Sequence, residues 1–247
     1  ANGSVLDAYN DYLVAVYKFN KGALTTDSKG SYTLTNNNGV TNVSSGKDGY
    51  AADFEKDSAQ YLSYGDVTDG SVFLPSPSSG ATYLVSFYAK LESIPEDDHY
   101  HYRCAVSCGR DSYGKWYFAF RFDSGSKYIY AGFMKSKPPW AYVYSSFEYK
   151  LNVWYHVVFG ADGSNVRCFI NGTEQTGGSP SYSTLSKEGT NSFMIGKGAH
   201  YEGSNYQCFD GVIDEVYIWK SPPITSSSFE SIVSALYNSG TGAFYIP

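Results

Sequence analysis

His99 and His101 stand two residues apart, beside Asp97, Asp98 and Arg103. In an extended segment that spacing places both imidazoles on one face, where they are either metal ligands or a base–acid pair. In a solvated loop they are neither. Retaining glycan cleavage needs two carboxyl groups about 5–5.5 Å apart. A strand supplies them at period-two spacing, as in Glu-x-Asp-x-x-Glu, and no such triplet occurs. Glu96, Asp97 and Asp98 are consecutive and would alternate faces, and so would Asp214 and Glu215. There is no serine nucleophile elbow, phosphate-cradling loop or His-Glu-x-x-His run, so the chain is read as noncatalytic. Cys104-x-x-x-Cys108 lacks the second close cysteine pair of a zinc ribbon. On one straight strand these two would be about 13 Å apart, too far to bridge each other. With Cys168 and Cys208 the count is even, which allows three pairings. The expectation is at least one disulfide, joining Cys208 to the Cys104/Cys108 segment.

The aromatic residues offer a different chemistry. Tyrosine accounts for 25 of 247 residues. A tyrosine pairs a flat apolar ring with a polar tip, so it suits strands and binding surfaces alike. Sugar sites press aromatic faces against C–H faces and use polar groups for the hydroxyls. Pro138-Pro139 would hold Trp140 rigidly in a loop, with Tyr142 and Tyr144 following. Tyr113 and Trp116, with Tyr100 and Tyr102, form a second group, and Tyr201 and Tyr206 a third. The competing reading is that alternating tyrosines fill a sandwich or face a protein partner.

Composition narrows the partners. Net charge is −6 and charged residues are 17%, against about 25% in typical domains. That balance argues against nucleic acid and anionic membrane surfaces. No apolar run approaches the roughly 20 residues of a membrane span. The chain begins at Ala1, as a mature product or an excised domain would, and carries Asn-x-Ser/Thr triplets at Asn2, Asn42 and Asn171.

The elements that must carry these groups are strands. Val14–Phe19, Tyr83–Lys90, Tyr117–Phe122, Tyr128–Phe133, Trp154–Phe159, Val166–Ile170, Phe193–Gly196 and Val212–Trp219 alternate or are β-rich. Asp162-Gly163 and Asn171-Gly172 supply hairpin turns. The spacing predicts an all-β, two-sheet antiparallel jelly-roll sandwich. One short C-terminal helix is expected, with Ser227 as N-cap, Glu230 completing a capping box, and Phe229, Ile232, Val233 and Leu236 as its apolar stripe. No interdomain linker interrupts the series, so residues 1–247 read as a single domain with its core over about 13–240.

Trp154-Tyr155-His156-Val157-Val158, Asp162-Gly163 and Val166–Gly172 together resemble a hairpin of the laminin-G-like domains in the concanavalin A-like lectin/glucanase superfamily. Phe193–Gly196, Phe209–Trp219 and Leu236-Tyr237-Asn238 are similar to the strand, last strand and terminus that follow in that family. The resemblance implies a jelly roll, frequently with glycan binding and a structural calcium ion. By position it implicates Asp27 and Asp214 as calcium ligands. It implies a noncatalytic, secreted or surface-displayed lectin-like domain that recognises a glycan or glycoprotein surface. The alternatives are a structural or adhesion subunit of an extracellular assembly or virion, self-associating through tyrosine-rich contacts, and a polysaccharide hydrolase or lyase.

Overall fold

A computed structural model gives the structure of the chain. It describes residues 3–65, 72–73, 79–94, 102–109, 116–123, 126–133, 140–185, 192–198 and 207–242, with the side chains of residues 3–4 and 116–119 excepted.

The strands in chain order are β1 Leu13–Tyr17, β2 Thr35–Asn37, β3 Thr41–Val43, β4 Ala51–Phe54, β5 Tyr61–Tyr64, β6 Thr82–Leu91, β7 Tyr102–Gly109 and β8 Trp116–Asp123. There follow β9 Ile129–Phe133, β10 Ala141–Tyr144, β11 Trp154–Asp162, β12 Val166–Ile170, β13 Thr173–Glu174, β14 Gly177–Ser179, β15 Phe193–Ile195 and β16 Gly211–Lys220. Two helices, α1 Gly3–Asp7 and α2 Ser226–Tyr237, flank them. All pairings among the described strands are antiparallel. One sheet runs β13-β12-β11-β6-β16-β4-β3, with β1 also on β16; the other runs β14-β10-β9-β8-β7-β15-β5-β2. This is the two-sheet sandwich that the period-two pattern predicts.

The inward faces meet in a phenylalanine-rich core that includes Phe54, Phe87, Phe120, Phe122, Phe133 and Phe159, all fully buried. Burying rings of this size contributes about 1.5–3 kcal/mol each. A second, smaller core lies on the outer face of the first sheet. There Leu84, Val158, Phe169, Tyr217 and Trp219 pack against Leu6 of α1 and Phe229, Ile232, Val233 and Leu236 of α2. Arg167 fastens that layer. Its guanidinium donates to Glu174 Oε1 at 2.7 Å, to Glu230 Oε1 at 2.9 Å and to the Ser226 carbonyl at 2.6 Å. Trp219 anchors this second core, whereas Trp154 is half-buried beneath the Lys90 ammonium.

The helix stripe stands as predicted, but its cap lies two residues earlier. Thr225 is the N-cap, and Ser228 takes the role assigned to Glu230 in the capping box. The tract Thr225-Ser226-Ser227-Ser228 offers several capping hydroxyls, and Glu230 is drawn away by Arg167.

The disulfide expectation is corrected. No disulfide joins Cys104, Cys108, Cys168 and Cys208, and all four are buried. A β-bulge falls between Cys104 and Val106, so the two β7 cysteines do not share a face as they would on a straight strand. Cys108 joins the inter-sheet core, while Cys104 donates to the Phe120 carbonyl at 3.3 Å. Cys168 lies on β12 in the opposite sheet.

Candidate functional site

The helices cover the outer face of the first sheet, so of the two described outer sheet faces that of the second is the one left uncovered by a helix. That face divides in two. Over β7 and β15 it is closed: Tyr102, Ser107 and Met194 are buried, and the Gln207 amide donates to the Tyr102 hydroxyl at 2.9 Å. Over β9 and β10 it carries half-buried tyrosines. Alternation sends Ile129, Ala131 and Phe133 of β9, and Ala141 and Val143 of β10, into the core. Tyr130, Tyr142 and Tyr144 therefore point outward, and Tyr128, just before β9, joins them.

The register places Tyr144 opposite Tyr130, and Tyr130 opposite Arg121 of β8. The four rings form a raft. Tyr128 and Tyr144 have centroids 5.6 Å apart and planes 12° apart; Tyr142 and Tyr144 are 6.5 Å and 24° apart; Tyr130 lies 5.6 Å from Tyr144. The Arg121 guanidinium sits 4.2 Å from the Tyr102 centroid and 5.2 Å from that of Tyr130. It marks the boundary between the closed and open halves, held by cation–π attraction.

Two glycines shape the raft. A Cβ on Gly177 of β14 would come within 2.4 Å of the Tyr144 ring, so only glycine lets that ring lie down on the edge strand. Gly132 sits between Tyr142 of β10 and Ala119 of β8 in register and is buried, so that Tyr142 packs beside a bare backbone. The near-parallel planes of Tyr128, Tyr142 and Tyr144 suit a flat ligand with C–H faces. The tyrosine hydroxyls and Arg121 add polar contacts at the rim.

The structure brings together only part of the expected site. Tyr142 and Tyr144 lie in strand β10 instead of a loop, because Val143 and Ala141 are needed by the core. Trp140 immediately precedes β10 and is half-buried. Trp116 opens β8, and its side chain lies outside the described residues, as do Tyr113, Tyr201, Tyr206, His99 and His101. Tyr128, Tyr130, Arg121 and Gly177 complete the site and were not singled out from sequence. The signal available was the repeat of tyrosines two apart at 128/130 and 142/144, which becomes a surface only once β9 and β10 pair.

Asp27 and Asp214 do not form a common cation site. The Asp27 carboxylate accepts the amides of Val16 and Lys29 at 2.9 Å and of Tyr32 at 3.3 Å. Asp214 accepts those of Lys47 at 2.7 Å, Asp48 at 3.0 Å and Glu215 at 2.9 Å. Calcium takes six to eight oxygen ligands, whereas both carboxylates here face N–H donors from separate segments. No group of three or more His, Cys, Asp or Glu poised for a metal occurs among the described residues. These residues do not fit the calcium ion that the resemblance implies.

Beneath the Tyr237 ring, the outer face of the first sheet holds a sealed polar cluster. His156 Nε2 lies 3.0 Å from Ser86 Oγ, and its ring stacks between Tyr88 and Tyr237. Burial, then the nearby Lys47 charge, press the imidazole down to about 3, so it is neutral. Both residues are only 2% exposed, so this serine–histidine contact packs the sheet.

No curated protein sequence matches the chain. Among solved structures, domain 4 of AbnA, a GH43 extracellular arabinanase from Geobacillus stearothermophilus, in complex with arabinotriose, superposes with a TM-score of 0.60 at 22% identity. The match covers 90% of this chain and 98% of that domain. The binding domain of Paraclostridial Mosquitocidal Protein 1 gives a TM-score of 0.69 at 16% identity, over 94% of this chain and 53% of that one. Trypanosoma rangeli sialidase in complex with sialic acid gives 0.61 at 13%, over 94% and 34% respectively. The chain thus spans about half of the toxin domain and a third of the sialidase, and these likenesses show the fold. No described helix is long and apolar enough to cross a membrane. The family model described as the concanavalin A-like lectin/glucanases superfamily, Laminin_G_3, matches residues 63–225, and the chain belongs to that family.

Proposed function

We propose that this chain is a noncatalytic carbohydrate-binding domain of a secreted or surface-displayed protein, and that it holds a glycan on the open half of the second sheet. The observation that carries the reading is the raft of near-parallel Tyr128, Tyr142 and Tyr144, with Tyr130 tilted against it beside Arg121. Rings laid flat on a rigid sheet are already ordered, so a sugar stacks on them at little entropic cost. The arabinotriose complex of a domain with this fold supports glycan binding as the use of such a surface. Trp140, immediately before the same strand, is the next aromatic residue that a glycan on this face could reach.

A glycan array probed with the purified chain, followed by calorimetry on any hit, tests the proposal. Replacing Tyr142 with Ala should weaken binding by about 1–3 kcal/mol, the scale of one lost aromatic contact. Retained affinity in that variant would move the site elsewhere. An empty array together with concentration-dependent oligomers in sedimentation would instead favour a self-associating structural subunit. Turnover of a bound polysaccharide would favour a hydrolase or lyase.

A further inference from the structure

We infer that the raft takes a linear glycan of the flat-ribbon class, its chain running along β10 with three successive sugars on Tyr142, Tyr144 and Tyr128; this rests on the glycan-binding reading above. The order of the rings follows from register. Tyr142 and Tyr144 stand two residues apart on β10 and so share a face. Tyr130 lies opposite Tyr144, and Tyr128, two residues before it, falls beyond Tyr144 in the same direction along the strands. Tyr142, Tyr144 and Tyr128 thus make a row parallel to the strand axis, with successive centroids 6.5 and 5.6 Å apart. Tyr130 stands beside the row, tilted 33° from Tyr142 and 43° from Tyr144.

The row lies flat. A Cβ on Gly177 would meet Cδ2, Cε2 and Cζ of Tyr144 together, so that ring lies face-down over the glycine and turns its other face outward. The planes of Tyr142 and Tyr128 depart from it by 24° and 12°. Three faces therefore share one orientation, spaced close to the distance between strand positions two apart, about 6.5 Å. That spacing suits sugar rings joined through a single bridging oxygen. Each sugar presses the C–H bonds of one face on an aromatic ring. For three successive sugars to do so at once, their mean planes must agree as the tyrosine planes do. That holds when the two glycosidic bonds leave each ring equatorially from opposite ends, as in β-1,4-linked glucose, mannose or N-acetylglucosamine. An α-1,4 or β-1,3 linkage turns each sugar away from its neighbour and winds the chain into a helix, so only part of it meets the row. Rings already ordered on a strand make each contact at little entropic cost.

The test is calorimetry on ladders from the monosaccharide to the hexasaccharide: cello-, β-1,4-manno- and chito-oligosaccharides against malto- and laminari-oligosaccharides. In at least one β-1,4 ladder, affinity should rise about tenfold with the second sugar and again with the third, the worth of one aromatic contact each. Beyond the trisaccharide it should grow only by the number of registers that a longer chain offers. The α-1,4 and β-1,3 ladders should show no step at the third sugar. Tyr128→Ala should move the plateau from the trisaccharide to the disaccharide. Circular dichroism confirms that this variant folds, and the ladders on the unaltered chain need no variant. Affinity that stops rising before the third sugar, keeps stepping beyond it, or is matched by the helical ladders would overturn the inference and leave the glycan reading standing. So would a plateau that stays at the trisaccharide in Tyr128→Ala, or an array glycan bound by a chain that ignores every β-1,4 ladder. Failure to bind any ladder or any array glycan would overturn both.

Discussion

The ring of Tyr144 covers Gly177 so closely that a Cβ there would lie 2.4 Å from its Cε2. The platform and its edge strand are thereby coupled: β14 contributes no aromatic group to the site, yet its lack of a side chain sets the tilt of one. Gly177→Ala should push the Tyr144 ring off the sheet. Glycan affinity should drop about tenfold, close to the worth of one aromatic contact, with little change in melting temperature because β14 is a three-residue edge. Combining it with Tyr144→Ala should cost no more than Tyr144→Ala alone. Additive losses in that double-mutant cycle would show that the glycine matters for another reason.

Asp27 ties three backbone amides to one buried carboxylate. Asp27→Ala orphans the amides of Val16, Lys29 and Tyr32, and the cost should be about 2–4 kcal/mol, given roughly 1–3 for each buried group left without a partner. Urea denaturation should show a lower midpoint at an unchanged slope. Because those oxygens face amides, a chelator should leave the unaltered chain's midpoint where it was. A chelator-induced drop would restore calcium.

The strand series was legible because both sheets keep period two, and β6, β11, β12 and β16 fall where alternation and turn residues place them. Other features depend on register. Val143 looks like part of an aromatic loop after Pro138-Pro139 until the core claims it. Arg121 reads as an interruption in Tyr117–Phe122, and its tyrosine neighbours arrive from β7 and β9. The Cys104–Cys108 spacing misleads because a bulge adds a residue that no local composition announces.

Thiol titration checks the corrected cysteine assignment. Burial raises Cys104 to about 12, and all four sulfurs are buried. A thiol reagent should label none of them in the native chain and all four in unreduced denaturant, since the thiolate is the nucleophile. Two labelled sites in denaturant would establish a bridge.

Stability should fall as pH rises from about 4 to about 7. Burial lifts Asp214 and Glu215 to about 7 each, while an unfolded carboxyl titrates near 4. Within that window the folded state holds more protons than the unfolded state, so rising pH favours unfolding. The amides on Asp214 and the Tyr217 hydroxyl on Glu215 favour the anions, but burial outweighs them at both carboxyls. His156 acts in the opposite sense: its depressed value favours the folded state above about 6.5 and costs stability as pH falls towards 3. Glu215→Gln should flatten the descending limb of a melting-temperature profile and leave the histidine limb intact. A profile unchanged by this substitution would mean that the carboxyl is already ionised in the fold.

Gly132 couples stability to the tyrosine face. Its φ is not in the left-handed region, and a Cβ there meets only ordinary contacts, 3.6 Å to Tyr142 Cβ and 3.8 Å to the Ala141 carbonyl. A glycine inside a strand costs about 0.5–1 kcal/mol relative to alanine, so Gly132→Ala should be neutral or stabilising and should keep its glycan affinity. Gly132 is itself buried, so a leucine there has no open space to enter. Gly132→Leu should overpack against Tyr142 at a cost of about 1–3 kcal/mol and displace that side chain from its place in the raft. Its affinity, measured at a temperature where circular dichroism shows the variant folded, should fall about tenfold, a loss of about 1.4 kcal/mol. If folded Gly132→Leu binds as well as the unaltered chain, the ligand does not lie on this face, and the search moves to the loop aromatics Tyr113, Tyr201 and Tyr206.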